Sequence, residues 1–119
     1  MTDSHAPVKP TVGIEVLDQL DIRVGTILKV ADIERSDKLV ALTVDFGDHR
    51  RQIVVGMKQE RDDPTEIEGI QALFVVNLEP RKMAGERSEG MLFDIGYQDS
   101  ITPVMATPER PVPDGVRAG

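Results

Sequence analysis

From Ile22 onward the chain reads with a period of two. Val40, Leu42, Val44 and Phe46 alternate with Leu39, Ala41, Thr43 and Asp45, and an extended strand, whose successive side chains point to opposite faces, sends each set to one side. The preceding segment follows the same rule. Ile22, Val24, Leu28 and Val30 fall on one face with Thr26, and Arg23, Gly25 and Lys29 fall on the other with Ile27. This predicts a long first strand whose internal Gly25 marks a bend or a close backbone approach. Gly47-Asp48-His49-Arg50 closes a hairpin into Gln52–Gly56. Ile70–Leu78 is a nearly continuous apolar run, the pattern of a strand buried on both sides. Met91–Ile95 and a short segment around Thr102–Ala106 resume strand character.

Helical signals are few. Ile14, Leu17 and Leu20 recur at three-residue spacing and predict one turn that covers an end of whatever follows. Pro64 opens a short helix that Gly69 ends. Pro108, Pro111, Pro113 and Gly115 argue against regular structure near the C-terminus. The pattern predicts an all-β protein, a five-stranded OB-fold Greek-key barrel with a short helix between strands 3 and 4 and extensions at both ends. An SH3-like barrel fits the periodicity as well. Residues 1–12 are read as a mobile tail and 13–119 as the domain.

Composition narrows the chemistry. A chain of 119 residues, 39% of them hydrophobic, buries enough surface to fold without a staple. The absence of cysteine excludes disulfides, thiolate zinc sites and a cysteine nucleophile. The longest apolar stretch, Ala72–Val76, falls far short of the ~20 residues of a membrane span. Met1–Pro10 lacks the apolar region of a signal peptide, so the expected compartment is the cytoplasm. The formal net charge of −7 speaks against a nucleic-acid binder at first sight. That charge is localised, however. Residues 1–22 carry one positive and four negative side chains and residues 58–68 carry two and five, which accounts for six of the seven net charges.

No enzyme signature is present. The G-x-x-x-x-G-K-[ST], G-x-G-x-x-G and G-x-S-x-G patterns are missing, and no acid–base constellation takes their place. His49, beside Asp45 and Asp48, is read as a solvated hairpin tip rather than a metal ligand, and no cofactor is expected. The segment Asn77–Met91 stands out. It follows the most buried strand and holds the one asparagine, three of the 14 basic residues and two of the five methionines. Asn77 offers two donors and an acceptor, Arg81 and Arg87 offer planar guanidinium groups for phosphate or base stacking, and Lys82 offers a point charge. Ser88 supplies a hydroxyl and Met91 an adaptable apolar surface. An ordinary polar turn around Pro80 and Gly85, with balanced charges, accounts for the same residues.

Five motifs in order carry a resemblance: Asp21-Ile22-Arg23-Val24-Gly25, Ser36-Asp37-Lys38-Leu39, Val54-Val55-Gly56-Met57-Lys58, Val76 through Gly85, and Ser88-Glu89-Gly90-Met91. Together they resemble the tRNA-binding domain family, the OB-fold module found at the C-terminus of many methionyl-tRNA synthetases, in free-standing dimeric tRNA-binding proteins and in CsaA export-related chaperones. The likeness covers about Leu17 to Gly115. It implies non-catalytic recognition of tRNA by structure, at the elbow, through a barrel pocket containing Asn77, Arg81, Lys82, Ser88 and Met91, with Lys38 nearby. It also implies a homodimer built from the chain ends, with an aminoacyl-tRNA synthetase as a further partner. The CsaA branch implies an alternative, a chaperone binding unfolded or pre-secretory polypeptides. The ending Arg110–Gly115 resembles that branch, whereas Ser36–Leu39 and Val54–Lys58 resemble the synthetase-appended one.

Overall fold

The computed structural model describes residues 5–119; the first four residues of the expected tail lie outside that range. The regular structure is almost entirely β, with little helix, in a barrel-like arrangement. Strands β1 (Ile22–Asp32), β2 (Leu39–Asp45), β3 (Arg50–Gly56), β4 (Gln71–Val75) and β7 (Met91–Leu92) lie in the order β3-β2-β1-β4-β7, all antiparallel where they pair. Two small two-stranded sheets are added, β5 (Arg81–Met83) with β6 (Glu86–Ser88) and β8 (Asp94–Ile95) with β9 (Val104–Met105). Ten strand segments among the described residues thus stand where the periodicity predicts five.

The β2 alternation is realised in the core: Val40, Leu42, Val44 and Phe46 are each at most 2% exposed. They pack with Ile27, Ile53, Ala72 and Phe74, and Phe46 meets Phe74 edge-to-face with ring centroids 5.5 Å apart. In β1 the alternation misleads. The pairing with β2 shifts register between Ile27 and Lys29, and a bulge of this kind reverses which face the following residues occupy. Ile27 before the shift and Val30 after it are both buried, while Leu28 between them is 37% exposed. Gly25 is a point of close approach: a Cβ there would lie 2.6 Å from Val44 Cγ1 and 2.8 Å from Phe46 Cε1.

Between β3 and β4 runs a single 3-10 turn, Pro64–Ile67, in which the Asp63 carboxylate accepts from the Thr65 amide at 3.1 Å. Its Ile67 is fully buried in the main core. The N-terminal turn α1 (Ile14–Asp18) forms where the spacing predicts it, without a side-chain cap. It does not cover the barrel end, because Ile14, Leu17 and Leu20 remain 69%, 48% and 43% exposed; Ile67 reaches the core instead. The run Ile70–Leu78 is a strand only to Val75, and its end turns outward, leaving Leu78 41% exposed. The proline-rich ending carries one short strand, β10 (Arg117–Ala118), which pairs with β1. Gln71 fixes the approach to it by bonding both the Val112 carbonyl (2.6 Å) and the Val112 amide (3.1 Å).

Candidate nucleic-acid interface

The polar segment after β4 is a built hairpin. Ala84 and Gly85 both have positive φ, 50° and 81°, the two-residue left-handed turn whose twist suits antiparallel strands. The pairs Arg81↔Ser88, Lys82↔Arg87 and Met83↔Glu86 follow from it. Met83 and Ala84 then pack on Ile33, Ala41 and Val54, a small apolar cluster separate from the main core, which seats the hairpin against β2 and β3.

Hydrogen bonds close the barrel beneath it. Ser88 is 4% exposed, and its hydroxyl accepts from the Val54 amide at 3.0 Å and donates to the Gly90 carbonyl at 3.2 Å. The Gln52 carbonyl accepts from the Glu89 amide at 2.8 Å. Arg51 donates through Nη1 to the carbonyls of Val76 (2.6 Å) and Glu89 (3.1 Å). β3 is thereby joined to the end of β4 and the start of β7.

Between the hairpin, β3, β7 and the Tyr97 turn runs an open groove of about 690 Å³, within the range of small-ligand sites. Of the six residues singled out in the sequence, Lys38, Arg81, Ser88 and Met91 line it. Asn77 and Lys82 do not. The Asn77 amide is committed elsewhere: Oδ1 accepts from the Asp21 amide and Nδ2 donates to the Gln19 carbonyl, each at 2.8 Å. Lys82 is exposed on the opposite side of β5 from Arg81, as strand alternation requires. His49, at its hairpin tip, bonds Asp48 (2.6 Å) and Arg51 (3.0 Å) and stacks on Phe46.

Tyr97, Glu60 and Leu78 also line the groove, and the spacing argument passes over all three. Tyr97 stands in a 3-10 turn, Tyr97–Asp99, between left-handed Gly96 and Ser100, and is 70% exposed. The signal was available, since it is the single tyrosine and lies in the polar stretch Gly96–Ser100. The groove is electrically mixed, with Lys38 and Arg81 set against Glu60, Glu79 and Asp94. Burial pushes the Glu60 carboxyl above the usual glutamate range; the neighbouring Asp94 adds to the effect and Arg61 opposes it. Away from the groove, the hydrogen bond from Arg23 at 2.9 Å holds the Asp21 carboxyl below its ordinary value.

Residues 22–117 match the family described as "Putative tRNA binding domain". The chain belongs to this tRNA-binding domain family. It is 38% identical over 109 residues to the methionine–tRNA ligase of Archaeoglobus fulgidus, a match covering 92% of this chain and 16% of the ligase. The chain therefore spans about one-sixth of the length of that relative. Among solved structures, a MetRS-related protein from Pyrococcus horikoshii superposes with a TM-score of 0.84 at 33% identity, covering 93% of this chain and all of the other. The chaperone CsaA of Bacillus anthracis superposes with a TM-score of 0.80 at 25% identity, covering 92% and 100%. The family assignment and the barrel-like all-β fold agree with the resemblance read from the five motifs.

Proposed function

We propose that this chain is a non-catalytic, homodimeric protein that recognises tRNA by its folded shape, at the elbow, through the groove beneath the β5–β6 hairpin. The observation that carries the reading is the convergence of Arg81, Lys38, Met91 and Tyr97 on one groove in a family described by tRNA binding. A guanidinium suits phosphate bidentately, an ammonium adds charge, and an exposed ring offers a base a face to stack on. The dimer is supported by an apolar strip left in solvent at the chain ends, Ile14, Leu17 and Leu20 beside Val116. Service to a synthetase acting in trans fits the same reading, since the ligase relative carries the matching domain within a far longer chain.

Titration with bulk tRNA at several salt concentrations tests it. Two groove cations predict a log–log salt slope of about −2. Arg81→Ala is expected to weaken binding about tenfold, and Lys82→Ala, on the far side of β5, to change it little. Absence of binding at low salt overturns the proposal, as does unchanged affinity in the Arg81 variant.

A second reading, a CsaA-like chaperone for unfolded or pre-secretory polypeptides, is favoured by the exposed apolar residues Ile95, Ile101 and Val104 beside Tyr97. Suppressed aggregation of a model client that persists under excess tRNA would select it.

A further inference from the structure

The groove contains a feature that phosphate binding alone does not use. Glu60 is half-buried in its lining, and Glu79 and Asp94 line it as well. A carboxylate repels phosphate but accepts hydrogen bonds through both oxygens from a pair of adjacent N–H donors. Tyr97 is the exposed aromatic ring of the same groove; Phe46 and Phe74 are locked in the core. Met91 and Leu78 supply further apolar wall, while Arg81 and Lys38 supply positive charge. Ring, apolar wall, carboxylate and cations correspond to the parts of one nucleotide: base face, base edge and phosphate. A space of about 690 Å³ has room for one unstacked nucleotide.

We infer that this groove takes up a single unpaired guanine of the bound RNA, its ring stacked on Tyr97 and its Watson–Crick edge read by Glu60. Guanine is the base whose Watson–Crick edge presents N1–H and the N2 amine side by side, matching the two oxygens of one carboxylate. Adenine and cytosine offer an amine beside an acceptor, and uracil flanks its one N–H with two acceptors, so each turns at least one lone pair against Glu60. The inference rests on the groove being the tRNA site and specifies what that site reads.

Acid provides a distinguishing sign. The charged groups that act on the Glu60 carboxyl are Asp94 and Arg61; Lys38, Glu79, Arg81 and Tyr97 line the same groove. Because burial raises its pKa, Glu60 takes up its proton at a higher pH than an ordinary glutamate. If it reads guanine, protonation removes an acceptor and affinity falls; if it only repels phosphate, protonation strengthens binding.

The test uses the full chain and labelled uridine heptamers carrying one central guanine, inosine or adenine, with bulk tRNA alongside. The expected result is a preference of about tenfold for guanine over inosine, which lacks the N2 amine. Glu60→Gln should abolish that preference and leave affinity flat with pH, while the unaltered protein weakens on mild acidification. Equal binding of guanine and inosine heptamers by a protein that still binds tRNA overturns the inference and spares the tRNA reading. Tighter binding by the Glu60→Gln variant overturns it likewise. Failure to bind tRNA at all overturns both.

Discussion

Single residues in this protein divide into those that hold the groove and those that face it, and the division does not follow chemical type. Asn77 and Ser88 carry polar groups suited to RNA, yet both spend them on the backbone. Asn77 joins the end of β4 to residues 19 and 21 with two bonds of 2.8 Å. Asn77→Ala should therefore lower stability by about 1–2 kcal/mol. Ser88→Ala leaves the buried Val54 amide without its partner and should cost about 1–3 kcal/mol. Urea denaturation of the two variants measures both losses, and a Ser88→Ala protein as stable as the parent would contradict this assignment. Glu60 carries the opposite sign. Its folded-state pKa is raised, so the ionised form is the one the fold disfavours. The penalty is present above the folded pKa and vanishes as pH falls below the unfolded value. Glu60→Gln should consequently be somewhat more stable than the parent at neutral pH and match it in acid, which also establishes that the variant folds.

At the scale of elements, the β5–β6 hairpin decides where Arg81 points. Its turn holds Gly85 at φ 81°, a conformation that costs a non-glycine residue about 1–2 kcal/mol. An added Cβ would also meet Arg35 Nη1 at 2.6 Å, although that flexible guanidinium can swing away. Gly85→Ala should lower the thermal midpoint by several degrees and weaken tRNA binding, with circular dichroism melts and the same titration as readouts. Unchanged affinity would mean that the hairpin does not position the site. The elements differ in how far the sequence exposes them, for physical reasons. β2 is plain because its alternate residues Val40, Leu42 and Val44 all enter the main core, and the hairpin at Gly47 is plain from its turn residues. β1 is misread at Ile27 and Leu28 because a bulge has no signature in a list of apolar residues. β5 and β6 escape because they pack on an outer cluster with only Met83 and Ala84, too little for periodicity to show. The groove is legible to the same degree: its basic and methionine residues follow from the five motifs, whereas Glu60 and Tyr97 arrive from segments that no local pattern connects to it.

For the whole molecule the question under the proposed function is how a chain of net charge −7 would hold a polyanion. Segregation is part of the answer, since the acidic stretches 1–22 and 58–68 carry most of the excess. Yet Glu60, in the second stretch, lines the groove, so in the proposed function general electrostatic attraction would be weak and contact-by-contact recognition would carry the affinity. In the proposed homodimer, two grooves on one rigid body would raise that affinity without new contacts, because the second binding event becomes intramolecular. The proposed dimer has a physical motive. Ile14, Leu17, Leu20 and Val116 border one open surface depression between α1 and β10, and their exposure is costly to leave in water. Replacing Leu17 and Leu20 together by glutamate adds charge to that strip while touching no core residue, so each protomer should stay folded. Sedimentation is expected to show a dimer for the parent and a monomer for the variant, and tRNA affinity should fall by about a hundredfold, the low end of the gain that linkage of two sites provides. Arg81→Ala added to the monomeric variant should weaken it further, since it acts within a groove, whereas a double substitution that leaves the parent's sedimentation unchanged would place the dimer contact away from the chain ends.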